Sequence, residues 1–319
     1  MPGQGRRGQR NSCRPAERRS FVMATTVLVG LVMLTANSLS NFSSNSLCAQ
    51  TIDWQMPAKW HQDAELNDLC VIDAETAWIV GDRGTVLRTR DAGRSWDPVT
   101  LRSDAFDLSV PPIQCRLESV TFVSANEGWI AGGYTLPDST TSKGILFSTK
   151  DGGNTWKRIQ GISLPSIKKI FFSSTGEGVA IGDGNVFKPA GVFQTRDGGI
   201  SWSAAAEGKI HHWRTGSHSN GVTTLTGYDG RLGRYENHRL SDAAIIDTKA
   251  VQLREMQMVD QSFGFAVGDN NSLLQTKNGG LSWNPVGEST GLPNSPFDFH
   301  SLTIQGLSLI HISEPTRPY

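Results

Sequence analysis

TKDGGNTW, from Thr149 to Trp156, is the stretch that decides the fold, because three related octapeptides occur elsewhere in the chain. The other copies are TRDAGRSW (Thr89 to Trp96), TRDGGISW (Thr195 to Trp202) and TKNGGLSW (Thr276 to Trp283). In each copy an Asp or Asn side chain can accept hydrogen bonds from its own turn, and the glycines permit positive φ. The final Trp can bury a large apolar surface beside that turn. The pattern therefore predicts a structural turn that is used four times.

A second repeated unit precedes each octapeptide. Its copies begin at Leu69, Val120, Ile170 and Met256, and each reads as an apolar strand, a polar turn and a second apolar strand that ends at Gly. A third strand leads into the octapeptide, and a fourth begins at its Trp. Four antiparallel strands in each repeat, with a period of about 40 to 50 residues, are typical of a β-propeller blade.

The spacing of these units indicates how many blades the chain holds. The starting positions are separated by 51, 50 and 86 residues, so the long interval predicts a blade without an octapeptide at about residues 205–246. Its strands are expected near His211 to Thr215, Gly221 to Gly227 and Arg231 to Tyr235. Phe299 to Ile304 matches the first strand of a sixth blade. We expect an N-terminal strand that contains Trp54 to be the fourth strand of the final blade. In many propellers the last blade is completed in this way by strands from both ends of the chain.

The two ends of the chain differ from the repeats. Residues 1–20 carry six arginines, and Phe21 to Ala36 is an uncharged apolar run of 16 residues, which is typical of an export signal. Because Arg18 and Arg19 fit the twin-arginine motif, we expect residues 1–49 to be a twin-arginine-like signal peptide. Sec export and an uncleaved membrane anchor are the alternatives. Leu307 to Arg317 resembles a translated DNA-sequencing adapter, so the expected domain is a truncated propeller at residues 50–306, with a non-native tail at 307–319.

Charge and cysteine usage narrow the functional classes. Without residues 1–49 and 307–319 the chain has 23 Lys and Arg against 28 Asp and Glu, a net charge near −5. That charge gives no electrostatic basis for binding nucleic acid. An exported protein could pair Cys70 with Cys115, but we expect two buried free thiols.

The octapeptides resemble the Asp-box, or BNR, repeat. The combined unit, as in WIVGDRGTVLRTRDAGRSW from Trp78 to Trp96, is similar to the photosystem II stability and assembly factor-like family. The resemblance covers about residues 51–306 and implies an all-β propeller, seven-bladed when complete, of which five blades and the start of a sixth are present. It implies export to the periplasm, thylakoid lumen or cell envelope, and a non-enzymatic scaffold without a cofactor. The implied partner is a protein, and a membrane protein complex is one option for it. Peripheral membrane association is a second option. We expect a monomeric chain that binds no nucleic acid.

Asp boxes also occur in sialidases, so a sialidase-like or other glycoside hydrolase is the alternative function. The chain lacks the Arg-Ile-Pro tripeptide that those enzymes share, and its repeats hold only Tyr134, Tyr228 and Tyr235 as tyrosine nucleophiles. A retaining glycosidase needs two carboxylates about 5 Å apart, which separate blades could supply. A structural cell-envelope protein without a dedicated ligand is a third possibility.

Residue roles follow from the predicted strands. We expect no catalytic residue. We expect a structural role in the Asp-box turns for eight residues: Asp91, Trp96, Asp151, Trp156, Asp197, Trp202, Asn278 and Trp283. The turns between second and third strands lie at the opposite end of the propeller, and variable loops on a rigid scaffold suit binding. The expected binding face comprises Asp82, Arg83, Tyr134, Asp183, Lys188, Asp229, Arg231 and Asp269. His211 and His212 are expected to be surface histidines rather than metal ligands, because neighbours in a strand face opposite sides.

Overall fold

The computed structural model describes residues 64–101, 115–135, 141–206, 209–228, 230–245, 252–286, 298–305 and 309–313. Within these ranges the chain is almost entirely β-structure, with one short 3-10 turn at Asp82–Gly84. No helix in the described ranges is long and apolar enough to span a membrane. The signal peptide expected at residues 1–49 and the strand expected around Trp54 lie outside the described residues.

Five successive sheets each contain four antiparallel strands in chain order, as expected for propeller blades. Blade 1 comprises β1 (Leu66–Val71), β2 (Ala77–Gly81), β3 (Val86–Thr89) and β4 (Asp97–Pro98), and blade 2 comprises β5 (Arg116–Phe122), β6 (Gly128–Thr135), β7 (Ser142–Thr149) and β8 (Lys157–Arg158). Blade 3 comprises β9 (Ile167–Phe172), β10 (Gly178–Gly182), β11 (Val192–Thr195) and β12 (Ser203–Ala204), and blade 4 comprises β13 (Trp213–Ser219), β14 (Val222–Gly227), β15 (Leu232–Glu236) and β16 (Arg239–Asp242). Strand β17 (Ala244–Ile245) follows blade 4, and blade 5 comprises β18 (Leu253–Met258), β19 (Gly264–Gly268), β20 (Leu273–Thr276) and β21 (Ser282–Pro285). The predicted propeller is thereby confirmed.

The hydrophobic core lies between neighbouring blades. Every residue of β2, β10 and β19 is buried. In β10 this is because blade 2 covers one face of the strand and blade 4 covers the other. Such strands read as continuous runs of apolar and small residues, here AWIVG, GVAIG and GFAVG. One core cluster joins Trp78 and Val80 of blade 1 to Ile130, Phe147 and Trp156 of blade 2. Blade-to-blade packing therefore supplies the hydrophobic stabilisation.

Blade 4 forms without an Asp box. Its third and fourth strands, β15 and β16, are joined by the two residues Asn237 and His238, whose φ angles are 50° and 63°. A two-residue hairpin with positive φ at both positions makes the turn unaided. The three strands predicted for this blade are present, and the tight turn explains why the octapeptide is not needed there.

The last described strands extend the fold beyond blade 5. Strand β22 (Ser301–Gln305) lies beside β18 and pairs antiparallel with β23 (Leu309–Ser313), so the first strand expected for a sixth blade is present. Strand β23 falls within the tail that we expect to be non-native. Its backbone completes the exposed edge of β22, which any extended segment can do. Strand β17 pairs in parallel with β21 at the outer edge of blade 5.

Candidate functional site

The Asp boxes are closed hydrogen-bond networks. In blade 2 the Thr149 hydroxyl donates to Asp151 Oδ1 at 2.8 Å and accepts from the Gly153 N–H at 2.9 Å. The Thr155 N–H donates to Asp151 Oδ1 at 2.8 Å, and the Thr155 hydroxyl donates to Oδ2 at 2.6 Å. Hydrogen bonds from Thr155 lower the pKa of Asp151 to about 2. The boxes of Asp91 and Asp197 repeat the same bonds.

The box of blade 5 uses an amide in place of the carboxylate. Asn278 Oδ1 accepts from the Ser282 N–H at 3.0 Å, and Asn278 Nδ2 donates to the Ser282 hydroxyl at 2.8 Å. The hydroxyl therefore reverses its role and the turn keeps its shape. An amide that serves as well as an acid speaks for a structural role at all four positions.

The box tryptophans pack against the preceding blade. Trp156 of blade 2 lies edge-on to Trp78 of blade 1, with ring centroids 5.6 Å apart. In blade 3, Trp202 lies edge-on to Phe172, which stacks on Trp129 of blade 2 at 3.8 Å. Trp156 and Trp283 are buried, whereas Trp96 and Trp202 are half-buried. The Trp156–Trp78 and Phe172–Trp129 contacts each join two neighbouring blades, and Trp202 packs on Phe172 within blade 3.

The opposite end of the propeller, here called the link face, holds the turns between second and third strands and the links between blades. Asp82 and Arg83 lie in the 3-10 turn after β2, and Asp183 and Lys188 lie in the turn between β10 and β11. Asp269 and Arg231 occupy the corresponding turns of blades 5 and 4. Tyr134 is different, since it lies in β6 with only 8% of its surface exposed. The ring packs in the core between blades 1 and 2, so Tyr134 is not part of this surface. Asp229 lies outside the described residues.

The first strands of successive blades adjoin one another and line a central channel. Across it, Lys169 Nζ of blade 3 lies 2.7 Å from Asp68 Oδ1 of blade 1. Asp68 Oδ2 also accepts from the Ser119 hydroxyl at 3.1 Å and from the Val120 N–H at 2.9 Å. Glu255 of blade 5 accepts from the Thr215 hydroxyl at 3.0 Å, and burial raises the pKa of its carboxyl. These polar groups bind one another and tie the blades together.

Every one of these first strands contains a β-bulge at the same place. Pairing skips one residue in each blade, and the skipped residues are all polar: Asn67, Glu118, Lys168, Arg214 and Arg254. A bulge leaves one residue outside the ladder and redirects its side chain. Because the bulge lies at the beginning of the strand, the five side chains form a ring at the link-face end of the channel, which we call the channel mouth.

A glycine lies opposite the bulge in each blade. Gly81, Gly132, Gly182, Gly227 and Gly268 pair with the residue before the skipped position. At four of them a Cβ atom would overlap the backbone carbonyl of the first strand, at Glu65, Arg116, Ser166 and Gln252 respectively. The Gly that ends each second apolar strand is thus the sequence signal of the channel mouth, a role that the sequence pattern alone did not assign.

Charge is divided around the channel mouth. On blades 1 and 2, Arg116 is surrounded by Glu118 at 3.0 Å, Glu65 at 3.2 Å and Asp82 at 3.3 Å. Blades 3 to 5 contribute the cations of the ring. Lys168 donates to Glu118 at 2.6 Å, Arg254 pairs with Asp269, and the Arg214 guanidinium lies 5.6 Å from the centre of the Tyr228 ring. The mouth therefore has an acid-rich side and a cation-rich side.

His211 and His212, at the start of blade 4, lie in different surroundings. His211 is 4% exposed and stacks on Trp213 at 5.4 Å, so its assignment as a surface histidine was wrong. His212 is half exposed and lies 3.5 Å from Asp183. In the described ranges no three His, Cys, Asp or Glu residues lie close enough together to hold a metal ion. Cys70 and Cys115 are free, as predicted, but Cys115 is buried whereas Cys70 is half-buried. Burial raises the pKa of each thiol to about 11.

Comparisons with known proteins agree with this architecture. Residues 48–243 match the family model described as photosynthesis system II assembly factor YCF48. The chain is 27% identical over 272 residues to the photosystem II assembly lipoprotein Ycf48 of Synechococcus, covering 69% of this chain and 75% of that protein. It is also 27% identical over 159 residues to the rice chloroplastic photosystem II stability/assembly factor HCF136, covering 50% of this chain. That match spans about a third (34%) of the rice protein. Among solved structures, the GH74 enzyme of Niastella koreensis is similar at a TM-score of 0.51 and 11% identity, covering 69% of this chain and 38% of that one, which shows a shared fold alone.

Proposed function

Because the chain belongs to the YCF48 family of photosynthesis system II assembly factors, we propose that it is an exported, non-enzymatic scaffold that binds a protein component of photosystem II. Two relatives from different lineages carry assembly in their names, one from a cyanobacterium and one from rice. The partner would then be a polypeptide of a membrane complex, and the β-propeller would bind it at the membrane surface. The propeller would act as a monomer.

The observation that carries this proposal is the divided charge of the channel mouth. Its side chains project from bulges in paired strands rather than from free loops, so they are held in place before a partner arrives. Groups that are already ordered lose less conformational entropy on binding. A polypeptide with charges of both signs could place its acidic part near Arg214 and its basic part near Glu65. The link-face turns around the mouth would add further contacts.

The arrangement of carboxylates supports a non-enzymatic role. A retaining glycosidase uses two carboxylates about 5 Å apart that are free to act on substrate. Asp68 accepts three internal hydrogen bonds, and Glu255 accepts one from Thr215 and one from its neighbour Met256. The carboxylates of the Asp boxes are likewise engaged by their own turns. Likeness to a GH74 enzyme concerns the fold and supplies no active site.

Export and domain limits belong to the same proposal. Residues 1–49 would direct the chain out of the cytoplasm, residues 50–306 would form the propeller, and residues 307–319 would be a non-native tail. The net charge near −5 of residues 50–306 favours a protein over a nucleic acid as partner.

Charge reversal at the mouth tests the proposal. Arg214→Glu replaces a cation whose neighbour is the Tyr228 ring. Arg254 is less suitable, because reversing its charge would also break its ion pair with the partly buried Asp269 carboxylate. Binding of the purified chain to detergent-solubilised photosystem II assembly complexes is measured by surface plasmon resonance. We expect the wild-type chain to bind and Arg214→Glu to bind at least about tenfold more weakly, a loss of about 1.4 kcal/mol.

The matched control is Lys150→Glu, an exposed charge reversal in the Asp box at the other end of the propeller. We expect it to bind like the wild-type chain. Equal weakening by both variants would show a non-specific charge effect, and no binding by the wild-type chain would refute the scaffold. Thermal unfolding of all three proteins shows whether each variant is folded.

A further inference from the structure

The turn between β10 and β11 carries the most exposed large apolar side chains of the described residues. Val186 is 81% exposed and Phe187 is 89% exposed. Both lie on the link face, the same end of the propeller as the channel mouth. Exposed apolar side chains that lie together on a folded domain commonly mark an interaction site.

Hydrogen bonds fix the shape of this turn. The side-chain carbonyl of Asn185 accepts from the Phe187 N–H at 2.9 Å and from the Lys188 N–H at 2.8 Å. The backbones of Asn185 and Lys188 also bond to each other in both directions, at 3.1 and 3.2 Å. An Asn that accepts bonds two and three residues ahead makes a rigid turn. Val186 and Phe187 are therefore held outward rather than collapsing onto the surface.

The link between blades 3 and 4 braces the turn and enlarges its apolar surface. The Gly184 N–H donates to the His211 carbonyl at 2.7 Å, and the His211 N–H donates to the Pro189 carbonyl at 2.9 Å. Ile210, next to this anchor, is 50% exposed. Val186, Phe187 and Ile210 together form what we call the apolar tip.

Basic side chains border the apolar tip. Lys188 follows Phe187 directly and Lys209 precedes Ile210, while Arg231 contacts the His211 ring at 2.7 Å. Long basic side chains can extend along apolar groups and keep their charge in a polar layer. Aromatic and aliphatic insertion with basic neighbours is the chemistry of protein binding to an anionic bilayer surface.

We propose that the apolar tip inserts into the interfacial layer of an anionic lipid bilayer and turns the channel mouth toward the membrane. The inference rests on the proposed function in one respect, that the partner is a membrane complex. Insertion itself requires lipid and no photosystem protein, so the two can be tested separately. A protein groove that receives Phe187 is the competing outcome.

A fluorescent probe at the tip tests insertion directly. In the full-length chain with Cys13→Ser and Cys48→Ser, Phe187→Cys is labelled with an NBD dye, while Cys70 and Cys115 stay unlabelled because burial raises their thiol pKa values. Protein-free vesicles contain 30% phosphatidylglycerol in phosphatidylcholine, with or without a doxyl-lipid quencher. We expect the emission to shift to the blue on vesicles and the quencher to reduce it at least about twofold.

Ile200→Cys carries the control probe, because Ile200 is 68% exposed in the Asp box at the other end of the propeller. Its emission should not change on the same vesicles, even if the N-terminal run binds lipid. A probe at residue 187 that stays in water while the chain is bound to vesicles would overturn the proposal. Phe187→Ser supplies a second measurement, in which binding to the vesicles should fall severalfold relative to Ile200→Ser.

The combined results separate the two proposals. A tip that inserts into vesicles while the chain ignores photosystem II complexes would refute the scaffold and leave the lipid contact standing. A tip that stays in water, together with a Phe187→Ser chain that loses photosystem II binding, would show that Phe187 contacts protein and that the lipid proposal is wrong.

Discussion

Lys169 of blade 3 and Asp68 of blade 1 meet across the channel at 2.7 Å, although 101 positions separate them and a whole blade lies between. The same carboxylate holds the intervening blade through the Ser119 hydroxyl and the Val120 N–H. One Asp thus fixes three blades relative to one another, and its only described cationic contact is Lys169.

Removing this cation should destabilise the fold. Lys169→Met leaves Asp68 and Glu255 as carboxylates in the channel without the ammonium group between them, and breaking a buried pair in this way costs 3 to 5 kcal/mol. We expect about 3 kcal/mol because the pair retains some contact with solvent. Urea unfolding measures the loss, and Asp68→Asn with Lys169→Met should recover part of it. Lys150→Met, at an exposed site, should change stability by less than about 0.5 kcal/mol.

Glu255 should make stability depend on pH. Burial raises its pKa above the ordinary value of 4.5, so the folded state holds the proton more tightly than the unfolded state. The stabilisation is complete below pH 4.5 and is lost as the pH rises through the higher folded pKa. Relative to Glu255→Gln, the wild-type chain should therefore lose unfolding free energy over that interval. Urea unfolding from pH 4 to pH 8 checks this, and parallel curves would contradict the assignment.

The carboxylate of an Asp box should act as a turn cap. Asp151→Ala removes the acceptor for the Thr155 N–H and hydroxyl, a loss of about 1 kcal/mol by analogy with helix caps. Asp151→Asn should cost less, because Asn278 shows that an amide makes the same turn.

The acid response of the boxes has a defined sign. Hydrogen bonds lower the pKa of Asp151 to about 2 from 3.8, so its stabilisation is present above pH 3.8 and is lost as the pH falls toward 2. Asp151→Asn should lack this part of the acid sensitivity, which acid titration followed by tryptophan fluorescence can detect. An unchanged acid response in the variant would mean that the box carboxylate is not coupled to folding.

Two glycines with the same φ angle offer a matched test of blade contact. Gly153 and Gly161 both have a φ of 76°, but a Cβ on Gly153 would overlap the Trp78 ring, whereas nothing lies within 4 Å of one on Gly161. Gly161→Ala should cost about 1 kcal/mol from backbone strain alone. Gly153→Ala adds overpacking and should cost about 3 kcal/mol. Similar melting temperatures for the two variants would show that the box does not press on the preceding blade.

The Cys70 and Cys115 thiols should be unreactive in the folded protein. With pKa values of about 11, only about one thiol in a thousand is ionised at pH 8, compared with roughly one in ten at the usual value of 9.0. Iodoacetamide at pH 8 should leave Cys70 and Cys115 unmodified until urea is added, as peptide mass mapping can show. Rapid labelling of Cys70 before unfolding would indicate that blade 1 opens locally.

Features encoded within one repeat could be predicted from the sequence. The boxes have local hydrogen bonds that join positions at most four residues apart, and the buried second strands are continuous apolar runs. For the same reason blade 4 could be placed from its strands, although its fourth strand, β16, was not predicted. The 86-residue interval between repeat units placed this blade, which has no octapeptide to mark it.

Features that depend on pairing between distant residues could not be predicted. The sequence pattern places Tyr134 in the turn between the second and third strands, but β6 and β7 extend to eight residues each and carry the ring inward. His211 reads as a polar residue beside His212, but the link to Pro189, the stack on Trp213 and the contact with Arg231 bury it. The channel mouth needs the offset between first and second strands, which appears in the sequence only as a recurrent glycine.

The amide in the box of blade 5 introduces a chemical ageing site. Asn278 is followed by Gly279, the neighbour that most readily attacks an Asn side chain to form a succinimide and release ammonia. In the folded turn the Gly279 N–H donates to the Ser262 carbonyl at 2.8 Å and the Asn278 amide donates to the Ser282 hydroxyl, so the reaction requires the box turn to break these bonds. Hydrolysis to Asp gives this box the carboxylate of the other three, whereas hydrolysis to isoaspartate lengthens the backbone and breaks the turn. The extent of deamidation at Asn278 is thus a measure of how often the box turn of blade 5 has opened.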